Sequence, residues 1–299
     1  MKRKLTLTLV CAALAASSVV AQDDMLKSLQ QETATTANEK VIATFKASKI
    51  INLQSVETVK KKNLEFRISH LFGNMGKESG GGIHTLYGFD QSNDIRIAFT
   101  YGITDRLNVA FSRFKRDENL EGEIKYKLLE QTTNNKMPLT VTLFANMAYT
   151  PKEDPGNEFT KSAHRMSYVY QLIAAHKFSS SFSLEVLGSY LHRNLVDPGD
   201  DNGIMSFGGG GRWKFTRSAS VIADYMMNVG RPDLVPERTD PLGVGLEVET
   251  GGHVFTLMFT NAVGLLENDY IANTADKWSD GGFKFSFHIT RMFTMGKPK

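Results

Sequence analysis

Cysteine is nearly missing from this 299-residue chain, which has only Cys11. With one thiol no internal disulfide can form, and a small scaffold stapled by disulfides is excluded. Also missing is any apolar run of the roughly 20 residues that a membrane-spanning helix needs. Charge of one dominant sign is absent too, with 35 Lys and Arg against 32 Asp and Glu. The excess sits in Lys2, Arg3 and Lys4, just before an apolar stretch from Leu5 to Ala16 and the step Val19-Val-Ala21. A basic start, a short apolar run and a small residue at the cut form the pattern of a secretory signal peptide over residues 1–21. Cys11 follows Val10 and lies early, so it makes a poor lipidation site. Cleavage after Ala21 would leave 32 residues of each sign. No overall basic field then remains, and nucleic acid is not an expected partner.

What the chain does have is alternation. In Gly281-Gly-Phe-Lys-Phe-Ser-Phe-His-Ile-Thr-Arg-Met-Phe293, the residues Phe283, Phe285, Phe287 and Ile289 share one face. Lys284, Ser286, His288 and Thr290 share the other, because strand side chains alternate with a period of two. The same pattern begins at Leu64, Phe66 and Ile68 and recurs along the chain, for example at Ile95, Ile97, Phe99 and Tyr101. About 12 such runs fit between Asn63 and Phe293, an even number, as antiparallel closure favours. Many reach the roughly 9–11 residues of a membrane strand, where ordinary strands average roughly 5–6. Aromatic residues, among them Tyr101, Tyr149, Tyr168, Tyr190, Trp213 and Phe293, sit toward the ends of the runs. Connections alternate between short and long, Lys115 to Asn119 and Gln131 to Lys136 being the weakest members of that series. These features favour an all-β fold, a transmembrane antiparallel β-barrel, over a soluble sandwich. Residues 63–293 form the expected barrel, with a short tail at 294–299. Residues 22–62 are expected on the periplasmic side, as a plug, an extra strand or a segment beneath the barrel. Within them Val41 to Phe45 reads as strand-like and Ser55 to Lys62 as a short helical turn.

Several stretches carry a family likeness: Glu65-Phe-Arg-Ile-Ser-His70, Tyr101-Gly-Ile-Thr-Asp-Arg-Leu107, Leu191-His-Arg-Asn194, Glu249-Thr-Gly-Gly-His-Val-Phe255, Phe259-Thr-Asn261 and Trp278 with the closing strand. From Val41 to Phe293 the chain resembles an uncharacterised outer-membrane β-barrel family of Bacteroidota, a domain of unknown function. The resemblance implies a fold and an outer-membrane location, and no catalytic residue.

The polar faces carry the chemistry. Arg67, Arg96, Glu123, Lys125, Glu185, Arg212, Asp224, Glu247, Lys284 and His288 are the candidate lumen-lining residues. Both signs occur, whereas a charge-selective pore shows one sign at its constriction. Ser286 and His288, two apart on one face, are the sharpest catalytic pair, yet a lipid hydrolase would aim them at lipid rather than into the lumen. The seven histidines show no metal-site spacing, and no metal or cofactor is expected. Asp197-Pro-Gly-Asp-Asp-Asn202 lacks a full calcium-loop pattern and reads as a turn. Gly208-Gly-Gly-Gly211 lies inside a strand, where glycine marks a bend or the close approach of another backbone. The function that fits best is a passive outer-membrane channel or transporter for small solutes. A closed structural or interaction barrel is the alternative, and a lipid esterase a more distant one. The expected partners are outer-membrane lipid, the barrel assembly machinery and a periplasmic protein reached through residues 22–62.

Overall fold

The computed structural model describes residues 39–230 and 237–296. The expected signal peptide, the first part of segment 22–62 and the last tail residues lie outside the described residues. Among the described residues twelve strands form one closed antiparallel barrel. They are β1 (Asn63–Asn74), β2 (Ser92–Gly102), β3 (Leu107–Phe114), β4 (Leu120–Leu129), β5 (Thr140–Tyr149), β6 (Met166–Lys177), β7 (Phe182–Arg193), β8 (Gly203–Lys214), β9 (Ala219–Val229), β10 (Leu242–Thr250), β11 (His253–Thr260) and β12 (Lys284–Thr294). Each strand pairs with its sequence neighbours, and β1 closes the ring on β12 from Asn63↔Thr294 through Ser69↔His288. Closure follows from the solvent: in hydrocarbon each unpaired backbone N–H or C=O costs several kcal/mol, so no edge can be left open.

The register sorts the side chains. On β1, Glu65, Arg67 and Ser69 are buried in the lumen while Phe66, Ile68 and His70 face outward. Outward positions on the other strands include the exposed Phe99, Phe111, Leu143, Leu172, Val186, Phe207, Leu246 and Leu257. A belt of exposed apolar side chains around a barrel is a lipid-facing surface. A slip of one residue would turn Arg67 toward lipid, at about 2–4 kcal/mol near mid-bilayer.

Connections 103–106, 178–181, 215–218 and 251–252 are short and, with 130–139, share a rim with both barrel ends. The Gly251-Gly252 hairpin needs glycine, because both residues have positive φ (46° and 96°). The other rim carries 75–91, 115–119, 150–165, 194–202, 230–241 and 261–283, and residues 231–236 lie outside the described residues. The 261–283 connection holds the seven-residue helix α1 (Glu267–Asn273), whose residues Glu267 to Ala272 are buried. It packs against the inner side of β6, β7 and β8.

Residues 39–62 differ from their expected local structure. Val41 to Phe45 is irregular, with Ala43 at φ 53°, and 55–62 contains no helix. Apart from two bonds across their own turn, Ile50 N to Leu53 O and Ser55 N to Ser48 O, many of their backbone groups bond to barrel side chains.

Unboiled protein should run at a different apparent mass from boiled protein in SDS gels, because a closed ladder resists detergent at room temperature. Identical mobility would contradict the closed barrel.

Candidate functional site: a lumen closed by its own chain

The chain before β1 forms a hairpin inside the barrel. At the short-turn rim Lys40 pairs with Glu130 at 2.6 Å and Val41 N donates to the Gln131 carbonyl at 2.7 Å. The chain runs inward, turns at Ile50–Leu53, and returns to the same rim, where Lys62 N donates to the Gly102 carbonyl. Ile50 N donates to Leu53 O and Ser55 N to Ser48 O, both at 2.9 Å. Phe45, Ala47, Ile50, Ile51, Leu53, Val56 and Val59 are all buried. The apolar content of this segment thus goes into a core within the barrel, not into lipid.

Asp224 on β9 holds the turn. One carboxylate oxygen accepts from the backbone N–H groups of Ile51 (3.0 Å), Asn52 (2.7 Å) and Leu53 (2.9 Å), and the other from Asn52 Nδ2 (2.9 Å). Successive N–H groups of a turn form a nest that favours an anion. The turn can come this close because Asp224 is paired across the sheet with Gly210 on one side and Gly243 on the other. A β-carbon at Gly210 would lie 2.6 Å from Ile50 Cδ1, and one at Gly243 2.6 Å from Ile51 Cγ2. Gly208 similarly faces Leu53, at 3.1 Å. The tip therefore rests on a floor of glycine, aspartate and glycine.

Other strands hold the two legs. Glu185 on β7 accepts from Val56 N (2.9 Å), and Thr142 on β5 donates to Val56 O (3.0 Å). Asn108 on β3 binds both Val59 N (2.7 Å) and Val59 O (2.9 Å). Lys125 on β4 donates to Ser48 O, Gln54 Oε1 and Ser55 O at 2.7–3.1 Å. His288 on β12 and the Ile51 carbonyl lie 3.2 Å apart through Nε2. From the opposite rim the loop bearing α1 reaches the tip. Lys49 pairs with Glu267 at 2.6 Å, Gln54 donates to the same carboxylate at 3.0 Å, and the Tyr270 hydroxyl donates to Asn52 O at 3.1 Å. In that loop burial pushes the Asp269 carboxyl up to about 7, with Arg116 opposing and Asp117 and Asp94 reinforcing the rise.

The ten candidate lumen residues thus separate into two groups. Lys125, Glu185, Asp224 and His288 bind the hairpin directly, and Arg67 does so through Ser48 Oγ (2.8 Å) while pairing with Glu65 (2.9 Å). The rest are tied within the barrel and its loops. Arg96 bonds Glu121 (3.0 Å) and Glu123, Arg212 bonds Glu247 (2.7 Å), and Lys284 bonds Asp276 (2.6 Å). Buried charges are tolerated when paired in this way. Asn108, Glu121, Thr142, Gly243, Glu267 and Tyr270 were missed by sequence reasoning. Asn108, Glu121 and Thr142 lie on polar faces and were within reach of the alternation argument; Glu267 and Tyr270 lie in a loop whose inward course has no local signal. Ser286 and His288 do not act as a pair: the serine hydroxyl donates to His70 O at 2.7 Å, and His288 faces the hairpin. In the 197–202 turn Asp200 is held by Arg193 at 2.7 Å.

Replacing Asp224 by Leu strands three backbone N–H groups, each worth about 1–3 kcal/mol when buried without a partner. Hydrogen-exchange protection at Ile51, Asn52 and Leu53 should fall by about two orders of magnitude or more, at 1.4 kcal/mol per tenfold. Asp224→Asn, which keeps one carbonyl oxygen, should cost less. Unchanged protection in the Leu variant would refute the anchoring role.

No curated protein matches the chain by sequence. Among solved structures, a NanC porin is 8% identical with a TM-score of 0.48, over 77% of this chain and 98% of that one. The KdgM porin is 6% identical with a TM-score of 0.43, over 78% and 99%. The COG4313 outer membrane channel from Pseudomonas putida F1 is 12% identical with a TM-score of 0.46, over 81% and 100%. A family model described as a membrane-bound β-barrel domain (DUF5777) matches residues 45–293, from the buried leg of the hairpin to the last strand. The chain belongs to this family of membrane-bound β-barrels.

Proposed function

We propose that the protein is a channel for small solutes in the bacterial outer membrane, gated by residues 44–59. One observation carries the reading: beside an apolar core in which Phe45, Ile50, Leu53 and Val56 meet Phe144, Ile173, Leu187 and Ile222 of the wall, buried charged and polar side chains of the wall bond the hairpin's main chain. Those polar groups would be solvated by water once the hairpin left, and a permanent filling has no need of buried charges among its apolar contacts, since replacing buried ion pairs with apolar groups is often neutral or stabilising. The short-turn rim, where the hairpin begins and ends, is read as periplasmic. This orientation rests on the expected signal peptide and on long loops facing outward. A Bacteroidota envelope, the barrel assembly machinery and a periplasmic partner acting on residues 22–62 belong to the same reading.

A closed structural barrel is the second reading, and the filling of the lumen from both rims favours it. Planar-bilayer recording separates the two. Full-length protein should be silent or open rarely, and protein lacking residues 44–59 should give discrete steady steps. If the shortened protein keeps its gel shift yet never conducts, the channel reading fails and the structural one stands.

The esterase alternative is weakened by the separate engagements of Ser286 and His288. Ser286→Ala should leave envelope lipids unchanged, and an altered lipid profile would revive it.

A further inference from the structure

We infer that the lumen is a peptide-binding site, that the solutes it admits are short oligopeptides, and that residues 48–59 occupy that site as an internal stand-in. The inference rests on the lumen opening when the hairpin leaves.

Beside the apolar core that takes its aliphatic side chains, the polar groups of the wall meet the hairpin largely at its main chain. Asp224 takes three consecutive N–H groups, Glu185 takes Val56 N, and Asn108 takes both polar groups of Val59. Lys125 donates to the carbonyls of Ser48 and Ser55, Thr142 to that of Val56, and His288 faces that of Ile51. Carboxylates meet N–H groups, while the ammonium and hydroxyl groups meet C=O groups. Every peptide presents this pattern, because each residue other than proline has one main-chain donor and one acceptor.

The site also has room for side chains. Gly208, Gly210 and Gly243 leave bays filled by Leu53, Ile50 and Ile51. Any aliphatic residue of similar size would fill such a bay, so the bays select for an apolar turn rather than one sequence. Charge argues the same way. A purely anionic solute would meet Asp224 and Glu185, and a purely cationic one Lys125 and Arg67. A peptide offers partial charges of both signs along its backbone and a full charge at each end.

The test uses the full chain with a specific protease site inserted at the exposed run Lys60–Lys62, outside the twelve strands, its gel shift confirming that the barrel has formed. After cleavage the released fragment is washed away, and a variant lacking residues 44–59 serves as an independent route to the open form. Three probes are added: a peptide of sequence 47–56, an unrelated ten-residue peptide with two central aliphatic residues, and an uncharged oligosaccharide of equal mass. Both peptides should block the current within tenfold of one another, the sugar at least tenfold less well, and Asp224→Ala should weaken peptide block at least tenfold. Equal block by sugar and peptides, no block by either peptide, or block by sequence 47–56 alone would overturn the proposal. If the open form carries no current, the channel reading fails. The peptide site is then judged by fluorescence anisotropy of both labelled peptides in detergent: saturable binding of both sustains it, and absence of binding, or binding of 47–56 alone, overturns it.

Discussion

The lumen is arranged around the Asp224 carboxylate in its nest of turn N–H groups. Its four acceptor contacts fix the tip of the hairpin relative to β9, and that position sets where the two legs meet the wall. The contact depends on register. Shift β10 by one residue and Leu242 or Val244 replaces Gly243 beside the carboxylate, which closes the space Ile51 occupies. The same shift would turn lumen charges into lipid, so the bilayer and the hairpin select one pairing between them.

The polar part of the lumen raises a problem that its apolar core does not. Arg67, Arg96, Lys125, Glu185 and Asp224 are all nearly inaccessible to solvent, and an unpaired charge in such a place costs several kcal/mol. The barrel solves half of this internally, by pairing Arg96 with Glu121 and Glu123 and Arg212 with Glu247. The hairpin supplies the other half, offering main-chain groups to Asp224, Glu185 and Lys125. The two halves differ in consequence: wall-to-wall pairs persist whatever the hairpin does, and the wall-to-hairpin bonds would be exchanged for water if it withdrew.

Much of the barrel was legible in the sequence because its cause is local. Alternation of Leu64, Phe66 and Ile68 with Glu65 and Arg67 reports two solvents on the two sides of one strand, and that signal repeats on strand after strand. Strand number and closure follow from the repeats and from the absence of any other way across a bilayer. The hairpin was not legible in the same way. Val41 to Lys62 has no period, because its groups answer to nearly every strand of the barrel rather than to a neighbour in sequence. Gly208 to Gly211 gave a partial clue. A close approach by another segment was expected there, but the approaching groups, Ile50 and Leu53, lie more than 150 residues away in the chain.

The hairpin is bound to the barrel in a way that permits release without unfolding. Both legs leave by one rim, and none of its bonds belongs to the twelve-strand ladder, the nearest being the backbone contacts of its two ends with Gln131 and Thr133 and with Gly102 and Met295. Release would break about ten side-chain bonds to its main chain, each worth roughly 0.5–1.5 kcal/mol net of water. Those bonds alone, on the order of 5–15 kcal/mol, match the stability of a whole domain, and the exposure of Phe45, Ile50, Ile51, Leu53 and Val56 adds to the cost. Thermal motion alone would then open the lumen rarely, and a useful opening rate needs a ligand or partner that replaces those bonds as it arrives. A solute presenting the same donors and acceptors can do so stepwise, one bond for another. That makes competition for the main-chain contacts a physical route by which a closed lumen would yield to its own substrate.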